Sequence, residues 1–400
     1  MTIDTNVIII GAGPAGLTAA RRLEELEISY TLVSRDSAPG IEKACGGYVP
    51  GRAIEEFELG EVPGAKPIDA IRMKFPGLDI TKVDFSEAVG VNVSRENLGK
   101  ALLGKVIGES GEVWLDTVCA SVTNDSESCK IGYTRKNERG TLSGQILIDA
   151  SGTNPASLRS APIRSRPTNN QLGYGVQYQI ETETSLASTN DFYYGSEFSP
   201  RGYAWSFPRG RETVVGIGGI VDKVRESSRR AFDYLDYLVS VADPISGELK
   251  EAGARIVEKE AALMPLAGIL RPSFGKRLML AGDAAGHCSP ITGEGIHYSM
   301  IGGQKAAEVA ARCVKKKDFS DKALSRYENS WTKAFGSDLK WGLWLQKRFL
   351  ESGSNSMGST FLNSEKSTRV IAEMLAGART VRSAILAAAP GYLISKMKKS

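Results

Sequence analysis

Apolar residues form an unbroken run at positions 5–10 (TNVIII), which is the pattern of a parallel strand buried on both faces. The glycine-rich stretch GAGPAG follows at once, and residues 17–28 (LTAARRLEELEI) then place apolar side chains at helical spacing. A second apolar run, YTLVS at 30–34, comes after the helix. This order predicts a strand–turn–helix–strand unit with the glycines at the point where strand becomes helix.

The rest of the chain divides by pattern into further segments. Residues 95–107 predict an amphipathic helix, and apolar strands follow it up to residue 152. Residues 173–220 alternate apolar and polar positions in several short stretches, which is typical of an antiparallel sheet. A buried-strand pattern returns at 278–283, and residues after about 320 have helical spacing. Because the antiparallel block interrupts the strand–helix segments, two domains are predicted to interleave along the chain.

Composition narrows the classes of function. The formal net charge of +4 over 400 residues is small, so charge gives no indication of nucleic-acid binding. Five scattered cysteines without a CxxC pair indicate free thiols in a reducing compartment rather than a disulfide framework or a zinc site. Residues 7–20 are uncharged but rich in glycine and not preceded by Lys or Arg, and residues 383–395 are too few to span a bilayer. We therefore expect a cytoplasmic protein.

Gly11, Gly13 and Gly16 form a G-x-G-x-x-G turn. In such a turn the first glycine permits the tight bend, the second lets the backbone approach a pyrophosphate, and the third allows close helix–strand packing. The acidic residue expected at the end of the second strand is replaced by Ser34, which can still hydrogen-bond a ribose. An NADP 2′-phosphate near Arg35 is the competing explanation at this point.

The stretch 278–310 (LMLAGDAAGHCSPITGEGIHYSMIGGQKAAEVA) favours FAD over NADP. A strand ends in Asp283, and Gly293 and Gly295 open a long helix, which brings a second helix N-terminus to a cofactor. Together with GAGPAG this segment resembles the two FAD fingerprints of glutathione-reductase-like flavoproteins, the class that includes p-hydroxybenzoate hydroxylase. An NADP site would not explain the second fingerprint.

The resemblance implies a set of FAD contacts. It implies a ribityl hydroxyl beside Asp283, backbone amides near Ile296 facing the flavin, and FAD contacts from the following residues: Gly11, Gly13, Ala15, Gly16, Ser34, Ala44, Cys45, Gly46, Arg95, Ala120, Gly293 and Gly295. Hydroxylases of this class carry Ala-Asp-Gly at a third fingerprint, where this chain has Ala150-Ser151-Gly152. That departure counts against an NADPH-dependent aromatic hydroxylase.

Residues 200–208 (PRGYAWSFP) place Tyr203, Trp205 and Phe207 on one face of a predicted strand. The return strand carries Gly216 and Gly218, so one of its faces is bare beside the aromatic row. Periodicity alone favours a core strand whose glycines form bulges, but the flavin motifs reverse that preference and favour an open slot for a long thin ligand.

Two motifs together resemble geranylgeranyl reductases: the Cys-Gly-Gly loop at Cys45, and P-x-x-Y-x-W-x-F-P followed by a glycine-rich strand. The resemblance covers at least residues 5–310. It implies an FAD-dependent reductase that saturates isoprenoid double bonds of a prenyl lipid, with Tyr203, Trp205, Phe207, Gly216 and Gly218 binding the chain. Hydride transfer to an isolated double bond also needs a proton donor, for which Cys45 and Tyr203 are the candidates.

The predicted fold is α/β (α+β overall). A Rossmann-like FAD-binding domain (1–60, 90–160 and 270–315) interleaves with an antiparallel-sheet substrate domain (61–89 and 161–269), and helices occupy 316–400. Two alternatives stay open, a flavin monooxygenase of the same superfamily and a non-redox protein that binds, isomerises or cyclises a prenyl group. The sequence does not identify the prenyl carrier or the external electron donor, NAD(P)H or a ferredoxin-like protein.

The C-terminal segment has an apolar helical face with basic residues nearby. An ordinary buried helix and reversible contact with a membrane surface both fit this pattern. The apolar positions are Ile371, Met374, Leu375, Ala378, Ile385 and Leu386, and the basic ones are Arg369, Arg379, Arg382, Lys396, Lys398 and Lys399.

Overall fold

A computed structural model describes residues 4–352 and 364–388 of the chain. These residues group into two units, each discontinuous in sequence. The first unit contains residues 4–43, 95–167 and 267–340, and the second contains 44–94, 168–266 and the described residues after 340.

The elements are numbered here in chain order. The strands are β1 (Thr5–Ile10), β2 (Tyr30–Val33), β3 (Tyr48–Pro50), β4 (Lys66–Ile68), β5 (Ala70–Lys74), β6 (Thr81–Asp84), β7 (Gly90–Asn92), β8 (Gly111–Trp114), β9 (Thr117–Asn124), β10 (Cys129–Arg135), β11 (Glu138–Asp149), β12 (Leu172–Glu181), β13 (Thr189–Tyr194), β14 (Tyr203–Arg209), β15 (Glu212–Ile220), β16 (Arg255–Pro265), β17 (Phe274–Gly275) and β18 (Leu278–Leu280). The helices are α1 (Pro14–Glu25), α2 (Gly51–Glu56), α3 (Arg95–Gly104), α4 (Ser157–Ser160), α5 (Val221–Arg225), α6 (Ala231–Ser240), α7 (Ile245–Glu251), α8 (Ile296–Lys316), α9 (Asp321–Trp331), α10 (Ser337–Ser352) and α11 (Glu365–Leu375).

The first unit is built on a largely parallel sheet with the strand order β17-β18-β11-β1-β2-β8. Strand β1 pairs in parallel with both β2 and β11, which explains why residues 7–10 are buried and apolar without alternation. The antiparallel strands β9 and β10 extend from β11. Helix α1 packs closely on α8, where a β-carbon on Gly303 would overlap the carbonyl of Ala15.

The second unit is built on a sheet with the order β16-β12-β15-β14-β13-β5-β6, in which only the β13–β5 pair is parallel among the described strands. One face packs on α6 and α7 through residues such as Tyr178, Leu235 and Leu249. The other face carries an apolar cluster that includes Trp205 and α11 residues such as Leu375. A small sheet, β3-β7-β4, completes this unit.

The predicted fold class is confirmed, whereas the units differ from the predicted domain boundaries. Residues 44–60 and 90–94 group with the antiparallel unit because β3 and β4 both pair with β7. Of the described residues after 315, those up to 340 group with the first unit and those beyond 340 with the second.

Helix α11 carries part of the predicted apolar C-terminal face. Leu375 is buried and Ile371 and Met374 are half-buried in the cluster beside β5, whereas Leu386 is exposed. Within the described segments, no helix has the length and apolarity needed to cross a bilayer. The tail lysines Lys396, Lys398 and Lys399 lie outside the described residues, and contact with a membrane surface stays a prediction.

Candidate functional site

The glycine turn after β1 has the geometry that its motif predicts. Gly11 has φ +102°, a left-handed conformation that L side chains rarely adopt, and its Cα lies against the carbonyl of Ala150. A β-carbon on Gly16 would overlap the carbonyl of Gly11. Gly13 differs from both, because a β-carbon there would meet no heavy atom of the described structure within 4 Å outside its immediate chain neighbours. The open space therefore lies at the N-cap of α1, where a phosphate would approach.

A second turn meets α1 from the end of β18. Gly282 has φ +65°, and a β-carbon on it would lie 3.1 Å from the Ala15 β-carbon. Ala15 is thus enclosed by Gly282 and by Gly303 of α8. The two glycine-rich segments are brought together at this alanine, although they are separated by more than half of the chain.

Asp283 follows this turn and lies beside the start of α8. Its Oδ1 is 3.7 Å from the position of a β-carbon on Gly295, and its Oδ2 accepts a hydrogen bond from Thr153 Oγ1 at 3.3 Å. Burial raises the pKa of Asp283, and the Arg95 guanidinium and the Thr153 hydroxyl partly oppose that shift. Asp283 and Arg95, two of the predicted cofactor contacts, therefore lie close enough for their charges to interact.

These features fit a dinucleotide. Neither α1 nor α8 has an acidic residue in its first turn, but the His297 amide of α8 already donates to Glu294 Oε1 at 2.8 Å, so it is the N-terminus of α1 that favours an anion. Ser34 is buried after β2, with its amide bonded to the Trp114 carbonyl. Arg35 is mostly exposed and pairs with Asp36, so its charge is partly neutralised before any 2′-phosphate binds.

Asp149 is a buried residue of this region that sequence reasoning missed. The amide and hydroxyl of Ser151 both donate to its Oδ1, and those of Ser157 both donate to its Oδ2. Ser151 stands where hydroxylases with the Ala-Asp-Gly motif have aspartate. Its bonds to Asp149 therefore help to fix the turn after β11. The signal was present as an aspartate at the end of an otherwise apolar strand.

His287 lies below the second turn and is fully buried. Its Nδ1 accepts a hydrogen bond from the Gly282 amide at 3.2 Å, and its ring lies 4.7 Å from Trp331 and 5.0 Å from Phe335. Its Nε2 has no hydrogen-bond partner among the described residues. Burial, with the positive charge of Arg164, lowers the pKa of His287 to about 3. The neutral ring thus supports the Gly282–Asp283 turn.

In the second unit, Tyr203, Trp205 and Phe207 share one face of β14, as predicted. The ring centroids are 5.8 Å apart for Tyr203 and Trp205 and 6.4 Å apart for Trp205 and Phe207. Phe192 of the neighbouring strand lies 5.3 Å from Phe207 and 5.8 Å from Tyr203. The row belongs to the apolar cluster on this face of the sheet.

Trp205 is also part of a row that crosses the sheet. Residues directly paired on neighbouring strands place their side chains on the same face. From β16 to β6, the paired residues are Glu260, Gln177, Gly216, Trp205, Phe192, Met73 and Thr81. We call this set the cross-strand row. It is polar at the β16 end, has no side chain at Gly216, is aromatic at Trp205 and Phe192, and is apolar at Met73.

The glycines of β15 correct one expectation. A β-carbon on Gly216 would overlap the indole ring of Trp205, and one on Gly218 would lie 3.2 Å from Trp205 Cζ3. The bare face is therefore filled by Trp205, and the predicted open slot between the two strands is wrong. The geometry does not support direct contact of either glycine with a substrate; both make room for the ring.

The Cys-Gly-Gly loop packs on the same row. A β-carbon on Gly46 would lie 2.7 Å from the ring of Phe207, and Gly47 has φ +82°. The Gly47 amide lies 3.4 Å from Cys45 Sγ, and Cys45 itself is half-buried. Cys45 and the aromatic strand, predicted separately from two motifs, thus form one local structure.

A cavity of about 160 Å³ lies at the other end of the cluster. Met73 and Thr81 of the cross-strand row line it, together with Phe75, Leu78, Asp79 and Thr368 of α11. Phe75 stacks on Tyr194 with a centroid distance of 4.7 Å, and Tyr194 in turn contacts Tyr203. Aromatic rings therefore connect the cavity with the predicted substrate residues.

The predicted site residues divide between the units. The first unit holds Gly11, Gly13, Ala15, Gly16, Ser34, Arg95, Ala120, Asp283, Gly293, Gly295 and Ile296, with Ala120 exposed on β9. The second unit holds Ala44, Cys45, Gly46, Tyr203, Trp205, Phe207, Gly216 and Gly218.

Comparison with known proteins finds a matching family model, relatives in sequence and solved structures with a similar fold. A family model described as lycopene cyclase protein matches residues 6–363. The chain is 30% identical to digeranylgeranylglycerophospholipid reductase 3 of Methanosphaera stadtmanae over 340 residues, 81% of each protein. It is 28% identical to digeranylgeranylglycerophospholipid reductase of Methanococcus vannielii over 364 residues, 86% of this chain and 87% of that protein.

Solved structures share the fold. A geranylgeranyl bacteriochlorophyll reductase-like protein of Thermoplasma acidophilum superposes with a TM-score of 0.85 at 20% identity, covering 98% of both chains. A flavin-dependent brominase superposes with a TM-score of 0.75 at 17% identity, covering 99% of both chains.

Proposed function

Because the chain belongs to the family described as lycopene cyclase protein and to the digeranylgeranylglycerophospholipid reductases, we propose that this flavin-dependent oxidoreductase binds FAD and saturates isoprenoid double bonds of a prenyl lipid. The names of the relatives supply the substrate class. The glycine turns and the N-terminus of α1, which has no acidic residue in its first turn, support FAD binding by the first unit.

The cross-strand row is the observation that carries the substrate proposal. From Gln177 to Met73 it crosses four strand spacings, roughly 19 Å at about 4.8 Å each. Between these ends the face offers aromatic and aliphatic side chains, which suit an extended hydrocarbon chain rather than a compact polar molecule. We assign the cavity lined by Met73 and Thr368 to the tail of that chain.

The chemistry requires a hydride and a proton. When bound, reduced FAD supplies the hydride to one carbon of the double bond. The other carbon takes a proton from an acid, for which Cys45 and Tyr203 are the candidates. In the first unit, the N-termini of α1 and α8 would contribute backbone amides to the cofactor, and Asp283 would accept a hydrogen bond from a ribityl hydroxyl.

Substitution of each candidate acid shows whether Cys45 or Tyr203 donates the proton. Cys45→Ala and Tyr203→Phe each delete one acidic proton with little change of volume. Loss of the true acid is expected to lower kcat by about 10²–10⁴-fold while flavin absorbance is retained. Equal kcat in both variants and the wild type would exclude both residues as the acid.

The proposed function is tested with dithionite-reduced protein and a panel of prenyl lipids. The panel contains a glycerol ether phospholipid, a free prenyl diphosphate, a chlorophyll precursor and a prenylated quinone, each analysed by mass spectrometry. A gain of one pair of hydrogens per double bond is expected for at least one lipid. A colourless protein would overturn the proposal, whereas oxygen-dependent hydroxylation would indicate a monooxygenase and a product of unchanged mass a cyclase or isomerase. NAD(P)H and a ferredoxin are then compared as electron donors.

A further inference from the structure

Arg209 extends the aromatic row by one further position. It is the last residue of β14, and the alternation that aligns Tyr203, Trp205 and Phe207 places Arg209 on the same face. Only 8% of its surface is exposed. A cation buried at the end of an aromatic row requires a compensating partner, because burying an unpaired charge is costly.

The partners of Arg209 are main-chain atoms of the cysteine loop. Its Nη2 donates to the carbonyl of Cys45 at 2.9 Å and to that of Gly46 at 3.2 Å. Gln177 Nε2 also donates to the Cys45 carbonyl, at 3.3 Å, and the same amide group binds Glu260. The backbone of Cys45 is therefore held by two side chains that project from two strands of the sheet.

A further donor of Arg209, its Nε, faces the cysteine loop. Its Nε is buried and has no hydrogen-bond partner within the described segments. The same Nε lies 3.2 Å from the position of a β-carbon on Gly47, whose amide approaches Cys45 Sγ. A free N–H of a guanidinium thus lies beside the turn that carries the thiol.

The charges near Arg209 come from several elements. Burial lowers the pKa of Arg209, and Cys45, Glu212 and Glu260 oppose that shift. An arginine stays protonated in such a setting. Glu212 is paired with Arg209 in the sheet, and Glu260 lies in the cross-strand row.

We propose that Arg209 is a positioning residue that fixes the Cys45 loop and stabilises the Cys45 thiolate. The inference deepens the proposed function, because it assigns Cys45 as the acid. In that step the S–H bond breaks, the proton forms the new C–H bond, and the electron pair stays on sulfur. The resulting thiolate is stabilised by the guanidinium and by the Gly47 amide, and water returns the proton. Lysine would keep the charge but lack the planar guanidinium that directs Nη2 to both carbonyls and Nε towards Gly47.

Alkylation of Cys45 by iodoacetamide, followed by peptide mass spectrometry from about pH 6 to pH 10, tests this inference without flavin or lipid. The other cysteines, Cys119, Cys129, Cys288 and Cys313, are buried, so Cys45 is the thiol expected to react in the folded protein. Removing the cation in Arg209→Gln is expected to raise the pH midpoint of the rate and to slow alkylation at neutral pH by about tenfold. Arg209→Lys is expected to keep the wild-type midpoint.

Glu260→Gln provides a second variant that leaves Arg209 in place. Removing this carboxylate leaves the cation less neutralised and is expected to lower the midpoint. The two decisive variants are Arg209→Gln and Glu260→Gln. If the pH midpoint of alkylation equals the wild-type midpoint in every one of them that folds, the inference is overturned. If the midpoint shifts as expected but no prenyl lipid is reduced, the proposed function fails and the assignment of Arg209 as the residue that stabilises the thiolate stands.

Discussion

The indole ring of Trp205 lies across the Cα of Gly216 on the neighbouring strand, in the space that any β-carbon at that position would occupy. The absence of a side chain at Gly216 therefore provides the space that the Trp205 ring occupies. Because Trp205 in turn contacts Tyr203 and Phe207, the position of the whole aromatic row depends on the missing side chain.

Gly216→Ala is expected to displace the Trp205 ring. Overpacking of this kind typically costs about 1–3 kcal/mol of unfolding free energy, and the displaced row should also raise KM for a prenyl lipid. Urea unfolding and steady-state kinetics measure the two effects. Gly175→Ala is the matched control, since its β-carbon would meet only the flexible end of Met264 at 3.3 Å and Trp205 at 3.6 Å. Equal effects of both substitutions would contradict the special role of Gly216.

Gly13→Glu is expected to weaken flavin binding without unfolding the protein. The space around Gly13 accommodates a side chain, but a carboxylate at the N-cap of α1 would repel a pyrophosphate. Flavin affinity should fall about tenfold or more, measured by flavin fluorescence, while the Tm stays at the wild-type value. Gly104→Glu makes the same change at an exposed position with equally open surroundings and should bind flavin normally.

Thr368→Leu is expected to shorten the preferred prenyl chain. The side chain lines the cavity beneath α11, and added methyl groups would fill space assigned to the tail of the chain. The ratio of kcat/KM for a geranylgeranyl lipid over a geranyl lipid should fall by about tenfold, within the range that such groups produce in apolar pockets. Thr368→Ser, which does not fill the cavity, should keep the wild-type ratio. An equal loss of kcat/KM for both chain lengths would show that the tail of the prenyl chain binds elsewhere.

His287 is expected to make the stability depend on pH below neutrality. Its pKa is lowered to about 3 in the folded state from an unfolded value near 6.5, so the stabilisation is complete above about pH 6.5 and is lost as pH falls towards 3. The slope approaches about 1.4 kcal/mol per pH unit within that window. Urea unfolding at about pH 7 and about pH 5 should reveal a smaller difference in His287→Gln than in the wild type. His297→Gln, which removes the other histidine of the chain, should retain the wild-type difference.

The sequence predicted elements with strong local patterns and missed those that depend on pairing between distant strands. The run at Thr5–Ile10 and the glycine motifs gave the parallel sheet and both turns, and the resemblance to geranylgeranyl reductases is confirmed. Arg209 was missed because the aromatic motif ends at Pro208, although the alternation of Arg209 with Phe207 is visible in the sequence. Gln177 and Met73 could not be found, since only the strand register assigns them to the row of Trp205.

The alternation of the two units along the chain has a consequence for synthesis. Strand β18 joins the first sheet beside β11, and α8 packs on α1, so neither contact can form until residues near 280–316 have left the ribosome. Domains generally fold as the chain emerges, but here neither unit is a continuous stretch. We therefore expect the incomplete chain to expose unpaired strand edges and to depend on chaperones until β18 has paired with β11 and α8 has packed on α1.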